Sequence, residues 1–164
     1  MTDMLVKLYN LPALQPALSN VAASGVGIRR ADKNDELQIC DWIKEHFGEQ
    51  WALECKASFT LSSPCCFIAE NEKVIGFACY NAAAKNYFGP TGVADAEQGK
   101  GVGSALLLSC LYELQNEGFA YAIIGGVGPQ DFYARTVGAS LIEGSDPGIY
   151  TKQWFNEMNP GTSD

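Results

Sequence analysis

From Gly27 onward the apolar positions fall into short runs whose period switches between strand and helix. Gly27 to Ala31 (G-I-R-R-A) reads as a strand. Ile39, Trp42, Ile43 and Phe47 then follow helical spacing. Asp32 or Asn34 stands upstream to accept from free first-turn amides, and Gly48 stands downstream, free to take positive φ. A second short helix is predicted from Gln50 to Phe59, closed off by Pro64. Cys66 to Glu70 and Val74 to Tyr80 are rich in strand formers. Asn71, Glu72 and Lys73 separate them, which predicts a hairpin. Tyr87 to Val93 (Y-F-G-P-T-G-V) reads as an irregular strand, because Gly and Pro inside a strand mark a bulge or a backbone that a ligand approaches.

Gly101 to Glu117 carries the clearest helical pattern, with Leu107, Cys110, Leu111 and Leu114 on one face and Gly118 as its stop. Tyr121 to Ile124 reads as a buried strand. Pro129 to Val137 reads as a short helix, with Pro129 suited to its first turn. Ala139 to Glu143 and Ile149 to Trp154 are expected to close the domain as an antiparallel pair. The resulting order, βααβββαβαββ, is that of one mixed α/β (α+β) domain over residues 27–158. Residues 1–26 read as an N-terminal appendage packed on or near it, with a short strand from Leu5 to Tyr9. Residues 159–164 read as a polar tail.

Composition narrows the function classes. Eleven basic against nineteen acidic residues give a net charge of −8. That disfavours a nucleic-acid surface, which needs clustered Lys and Arg, and an anionic membrane surface. It suits a cationic substrate such as an amine. There is no apolar run of about 18 residues, and the first residues lack a basic region and a small-residue cleavage site. A cytoplasmic protein is therefore expected. The six cysteines form no C-x-x-C pair, so a zinc ribbon and a thioredoxin-like site lose support, and no metal is expected. Most of these cysteines sit among apolar neighbours, as buried free thiols do.

The most informative segment is Gln98-Gly99-Lys100-Gly101-Val102-Gly103-Ser104, between a strand and a helix. Its three glycines let the backbone turn tightly and approach a ligand. The following helix begins with unpaired amide donors and a partial positive charge, which together bind phosphate or pyrophosphate. Lys100 adds a cation at the rim. A Walker A loop (G-x-x-x-x-G-K-[ST]) is not supplied here. A dinucleotide fingerprint would put its last glycine at Ser104, and it wants an acidic residue after the next strand, where Gly125 and Gly126 stand. The remaining form, [R/Q]-x-x-G-x-[G/A], is met by Gln98, Gly101 and Gly103.

With Val93 five residues before Gln98, and with Asp131-Phe132-Tyr133-Ala134-Arg135-Thr136-Val137-Gly138 downstream, residues 27–154 resemble the GNAT superfamily of acyl-CoA N-acyltransferases. The opening I-R-R-A-D-K-N-D resembles that family's first strand and helix start. Two departures stand out. Tyr133 lies five residues before Gly138 rather than four, with Ala139 in place of a Phe. An Asn common after the fifth strand of the family would fall near Gly126 and is absent.

The resemblance implies a mostly antiparallel sheet flanked by helices and splayed at the fourth and fifth core strands. It implies transfer of acetyl from acetyl-CoA to an amine of a small molecule or amino-acid-like acceptor, and it is compatible with a homodimer. It places Gln98, Gly99, Lys100, Gly101, Val102, Gly103 and Ser104 on the pyrophosphate, the Val93 N–H on the thioester oxygen, and Tyr133 as the acid for the leaving thiolate. Glu54, in W-A-L-E-C, falls where the family lines its acceptor pocket and can hold or deprotonate the amine; His46, Glu70 and Asp95 are the other candidates for a base. A covalent route through Cys65 or Cys66 lacks a histidine partner. The alternative from another class is a non-catalytic acyl-CoA-binding or sensing domain, which would keep the glycine loop without the acid–base groups.

Overall fold

A computed structural model describes residues 1–60 and 62–150. Its central element is a seven-stranded sheet in the order β2-β3-β4-β5-β6-β1-β7. The strands are β1 (Met4–Lys7), β2 (Gly27–Arg30), β3 (Cys66–Glu70), β4 (Val74–Tyr80), β5 (Tyr87–Val93), β6 (Tyr121–Ile124) and β7 (Ser140–Leu141). All neighbours pair antiparallel except β5 and β6, which run parallel. The helices are α1 (Leu14–Ala22), α2 (Glu36–Phe47), α3 (Glu49–Ala57), α4 (Val102–Asn116) and α5 (Gln130–Val137). No helix among the described residues is long and apolar enough to cross a membrane.

β4 is the innermost strand of the hairpin half, and its residues Ile75 to Tyr80 are all buried. Its alternation divides the core. Phe77 and Cys79, with Cys66 and Ile68 of β3, pack under α2 and α3 through Ile39, Ile43 and Cys55. Ala78 and Tyr80, with Ala69 of β3, join Leu106, Leu107, Cys110, Leu111 and Leu114 of α4 on the other side. A strand covered on both faces reads as a continuous apolar run rather than an alternating one. The start of α2 is also written locally: Asp32 accepts from the Asn34 amide and Asp35 reaches back to the Asp32 amide, a reciprocal cap.

Residues 1–26 enter the sheet itself. β1 lies between β6 and β7, pairing Met4 with both Ile124 and Leu141. Met4, Val6 and Leu8 are fully buried. The reason is non-local: β6 has β5 on one side only, and its other edge is satisfied by the N-terminal strand. The closing pair expected between residues 139–143 and 149–154 falls partly outside the described residues. β7 pairs with β1, Gly148–Tyr150 forms a single tight helical turn, and residues 151–154 lie outside the described residues, as does the 159–164 tail.

Candidate active site

β5 and β6 pair only at Tyr87–Ile123 and Phe88–Ile124. β6 then ends and the chain turns away at Gly125 and Gly126. The buried carboxylate of Asp3 holds this turn by accepting the Gly126 N–H at 2.8 Å. From Gly89 to Val93, β5 therefore has β4 on one side and a gap on the other. The Ala94 N–H donates to the Ile75 carbonyl at 2.8 Å. This makes Gly76 and Val93 a non-hydrogen-bonded antiparallel pair. The N–H and C=O of Val93 thus face away from β4, into the gap. The Val93 carbonyl is taken by the Gln98 side-chain amide at 3.3 Å, which leaves the Val93 N–H as the group on offer.

α4 begins beside this gap. Gly101 is its N-cap at φ +84°, with no side chain to accept from the first turn. The first backbone bond is Ala105 N–H to the Gly101 carbonyl at 3.1 Å. The amides of Val102, Gly103 and Ser104 therefore precede the helix's own ladder and carry its positive end. α1 backs the loop: a Cβ on Gly101 would sit 2.6 Å from the Asn20 side-chain nitrogen. A Cβ on Gly103 would meet only Phe132 at 3.7 Å and Val93 at 3.9 Å, so the ligand side of that glycine is open.

The gap and the helix end belong to one cleft of about 1040 Å³. Val93, Gln98, Gly99, Gly101, Val102, Gly103 and Ser104 line it, as do Glu54 and Tyr133. Lys100 does not; its ammonium pairs with Glu97 at 2.9 Å. Gln98 is folded inward, onto Val93 and Asp95, and so braces the loop. The three other base candidates lie elsewhere. His46 is exposed, stacked on Trp42 and bonded to its carbonyl. Glu70 is bound by Arg29 at 2.8 Å, and Asp95 is exposed and outside the lining. Cys65 and Cys66 are buried and also outside it.

Three ionisable groups that line the cleft, Glu54, Tyr133 and Tyr150, are shifted upward, chiefly by burial. Burial raises the Glu54 carboxyl above the ordinary carboxylate range, against a smaller lowering by the Gln50 amide, which donates at 3.2 Å. Burial alone pushes the Tyr133 hydroxyl up to about 12. The irregular spacing after Tyr133 is absorbed at the end of α5, where Gly138 takes φ +67° and the Ala139 N–H reaches back to the Tyr133 carbonyl.

An aromatic cluster packs against β5. The Phe47 ring lies flat on Gly92, so a Cβ there would fall 2.5 Å from its Cζ, and Phe47 in turn meets Trp51 at 5.4 Å between centroids. Gly92→Ala is expected to displace Phe47 and to lower stability by about 1–3 kcal/mol, as overpacking does. That corresponds to a melting point lower by roughly 2–12 °C for a chain this size. An unchanged melting point would show that Phe47 can leave without consequence.

Sequence reasoning missed Tyr150. Its hydroxyl would lie 2.5 Å from a Cβ on Gly125, its ring covers Gly126, and it lines the cleft beside Glu54. The only available signal was the pair of glycines where the family carries an Asn, which leaves room for a side chain from elsewhere.

A family model described as the acetyltransferase (GNAT) family matches residues 34–138. The chain belongs to the GNAT acetyltransferase family. No curated protein matches it in sequence at a significant level. Among solved structures, it is similar to a GCN5-related glucosamine N-acetyltransferase region of a fungal multi-domain beta-N-acetylglucosaminidase. That match has 14% identity and a TM-score of 0.70, and covers 86% of this chain and 19% of that one. It is also similar to a GCN5-related N-acetyltransferase from Sphaerobacter thermophilus, with 17% identity, a TM-score of 0.63, and coverage of 86% and 48%. A third is a GNAT family acetyltransferase from Brucella melitensis in complex with acetyl-CoA, with 20% identity, a TM-score of 0.54, and coverage of 71% and 86%. This chain thus spans about a fifth of the first protein and about half of the second. At these identities the likeness is one of fold: the mixed, mostly antiparallel sheet opened at β5 and β6 is the GNAT arrangement.

Proposed function

We propose that this GNAT domain is an N-acetyltransferase that moves acetyl from acetyl-CoA directly to a primary amine of a small molecule or amino-acid-like acceptor. The observation that carries the reading is the single cleft in which the free amides of α4 meet the unpaired edge of β5. In this reading the Val102, Gly103 and Ser104 amides hold the pyrophosphate, and Gly99 and Gly101 give the loop its turn. The pantetheine runs along Gly89 to Val93, where β6 has withdrawn. The Val93 N–H donates to the thioester oxygen as charge gathers there. Glu54 takes a proton from the acceptor ammonium, whose ordinary pKa near 10.4 keeps it from attacking at neutral pH. Tyr133 gives a proton to the departing thiolate. The C–S bond breaks as the C–N bond forms, the new amide nitrogen gives its remaining extra proton to water, and Glu54 and Tyr133 return to their starting states by exchange with water.

The shift at Glu54 has the sign a base needs, while that at Tyr133 keeps its proton in place and makes it a weaker acid. A carboxyl held above its usual range is a stronger base than an exposed one. A hydroxyl held near 12 stays protonated and available as a donor at working pH.

The reading is tested by thermal shift with acetyl-CoA, CoA, NAD and ATP side by side, followed by an amine panel scored for free CoA release. A ligand at about 100 times its Kd adds about 2.7 kcal/mol, a rise of roughly 5–10 °C here. A rise with acetyl-CoA and CoA only, and turnover with at least one amine, is expected. Binding without turnover across the panel would select the non-catalytic acyl-CoA-binding domain. A response to NAD or ATP alone would overturn the assignment of the loop.

A further inference from the structure

Three of the six cysteines, too far apart along the chain to suggest a shared site, converge in the fold. Cys66 and Cys79 face each other across β3 and β4, and Cys55 descends from α3 onto the same point. Their Sγ atoms all lie within 4.8 Å of one another, with Cys55 and Cys66 at 4.0 Å. All three are fully buried, among Ile43, Ile68 and Phe77. A fourth thiol, the half-buried Cys40 of α2, lies against Cys55 and connects the group to the outside. The remaining two behave as isolated core thiols: Cys65 is bonded to the Ser63 carbonyl and Cys110 to the Ala78 carbonyl on the opposite face of the sheet.

We propose that Cys55, Cys66 and Cys79 form a three-sulfur site for a soft, thiophilic ion, with Cu(I) the ion whose chemistry fits. Three sulfurs around an ion in one plane, at metal–sulfur bonds of about 2.3 Å, stand about 4.0 Å apart. The observed spacing needs only small rotamer adjustments to reach that. The site offers sulfur alone, which selects a soft ion over Mg²⁺, Ca²⁺ or Mn²⁺. Zinc in structural sites takes four ligands; Cys40 touches Cys55 but stands outside the set of sulfurs that lie within 4.8 Å of one another, so the converging set numbers three. On binding, each ligating thiolate forms by losing its S–H proton to water, and copper stays in the +1 state, so nothing is oxidised or reduced. Loading requires local opening of α3, the short helix over the site, with Cys40 at its outer margin. Once bound, the ion ties α3 to β3 and β4. Glu54 is the residue immediately before Cys55, so the ion would also fix the wall that carries the proposed base.

The proposal stands independently of the acyl-transfer reading, because its readout is metal content and ligation rather than turnover. The reduced full-length protein is titrated anaerobically with Cu(I) against a competing Cu(I) chelator, and the copper–sulfur shell is measured by X-ray absorption. One ion per chain, a sulfur-only shell of three at about 2.3 Å, and affinity reduced by at least about 100-fold in Cys66→Ala and Cys79→Ala are expected. Cys65→Ala and Cys110→Ala should bind as the parent does. No retained copper, a shell with nitrogen or oxygen, or undiminished binding in Cys66→Ala would overturn the site. So would a Cys55–Cys66 disulfide in protein purified without reductant, shown by two thiols missing from a count in denaturant. Should the alanine variants fail to fold, the shell measured on the parent protein decides by itself.

Discussion

Tyr133→Phe is expected to lower kcat by about 100-fold or more, the low end of what a positioned proton donor contributes, while acetyl-CoA still raises the melting point as it does in the parent. The substitution removes one oxygen and keeps the ring, which packs against Phe88 and Phe132, so the core is left intact. Burial is what raises the hydroxyl to about 12. The neutral form is therefore the one present in the folded protein at every working pH, and deleting the hydroxyl forfeits no charge interaction there. The variant's melting point should be equal or slightly higher. The same shift predicts that the parent enzyme shows no alkaline loss of kcat from this group below about pH 10. Steady-state kinetics beside the thermal shift checks both. A kcat equal to that of the parent would remove Tyr133 from the mechanism and leave water as the proton source.

Glu54→Gln is expected to lower kcat/KM for the amine by about 100-fold or more near neutral pH, with a loss that narrows as the pH approaches the pKa of the free amine, near 10.4. The sign follows from the raised carboxyl. Because the folded protein disfavours the ionised form, the parent's rate should fall on acidification at a higher pH than an ordinary carboxylate would give. The glutamine variant should lack that acid limb and should rise steadily with the fraction of neutral amine. Stability runs the opposite way. A carboxyl whose folded pKa lies above its unfolded one is destabilising once ionised and is relieved as pH falls through the folded pKa. The glutamine variant should therefore melt at the same temperature or higher at neutral pH. A stable variant with a slow, steadily rising pH profile separates loss of a base from damage to α3. A parallel profile at all pH values would assign Glu54 to holding the amine rather than deprotonating it.

Much of this architecture was legible because its signals are local. The period of Leu107, Cys110, Leu111 and Leu114 marks α4, Gly118 stops it, and the β3–β4 hairpin is written in two apolar runs around Asn71 to Lys73. The glycine loop is local too: a chain that must expose the first amides of a helix without a capping side chain needs glycine where φ is positive, and Gly101 is at +84°. The family likeness drew on the same segment, and the matching family model covers it.

The non-local features escaped for one physical reason: hydrophobic patterning says that a residue is buried, not against what. A four-residue strand at the N-terminus does not announce that β6 needs a second partner, so residues 1–26 read as an appendage until β1 is seen between β6 and β7. Tyr150 reaches the Gly125–Gly126 turn only because the Gly148–Tyr150 turn comes back against it, and no spacing rule connects residues 25 apart. Cys55, Cys66 and Cys79 belong to one point solely because α3 lies on β3 and β4. The sequence by itself determined the elements from Gly27 to Val137, the glycine loop and the kind of chemistry the loop invites. The tertiary structure decided which strand edge is left open, that the Val93 N–H faces the opening, and which of four candidate bases shares the cleft, because those are relations between surfaces that meet only after folding.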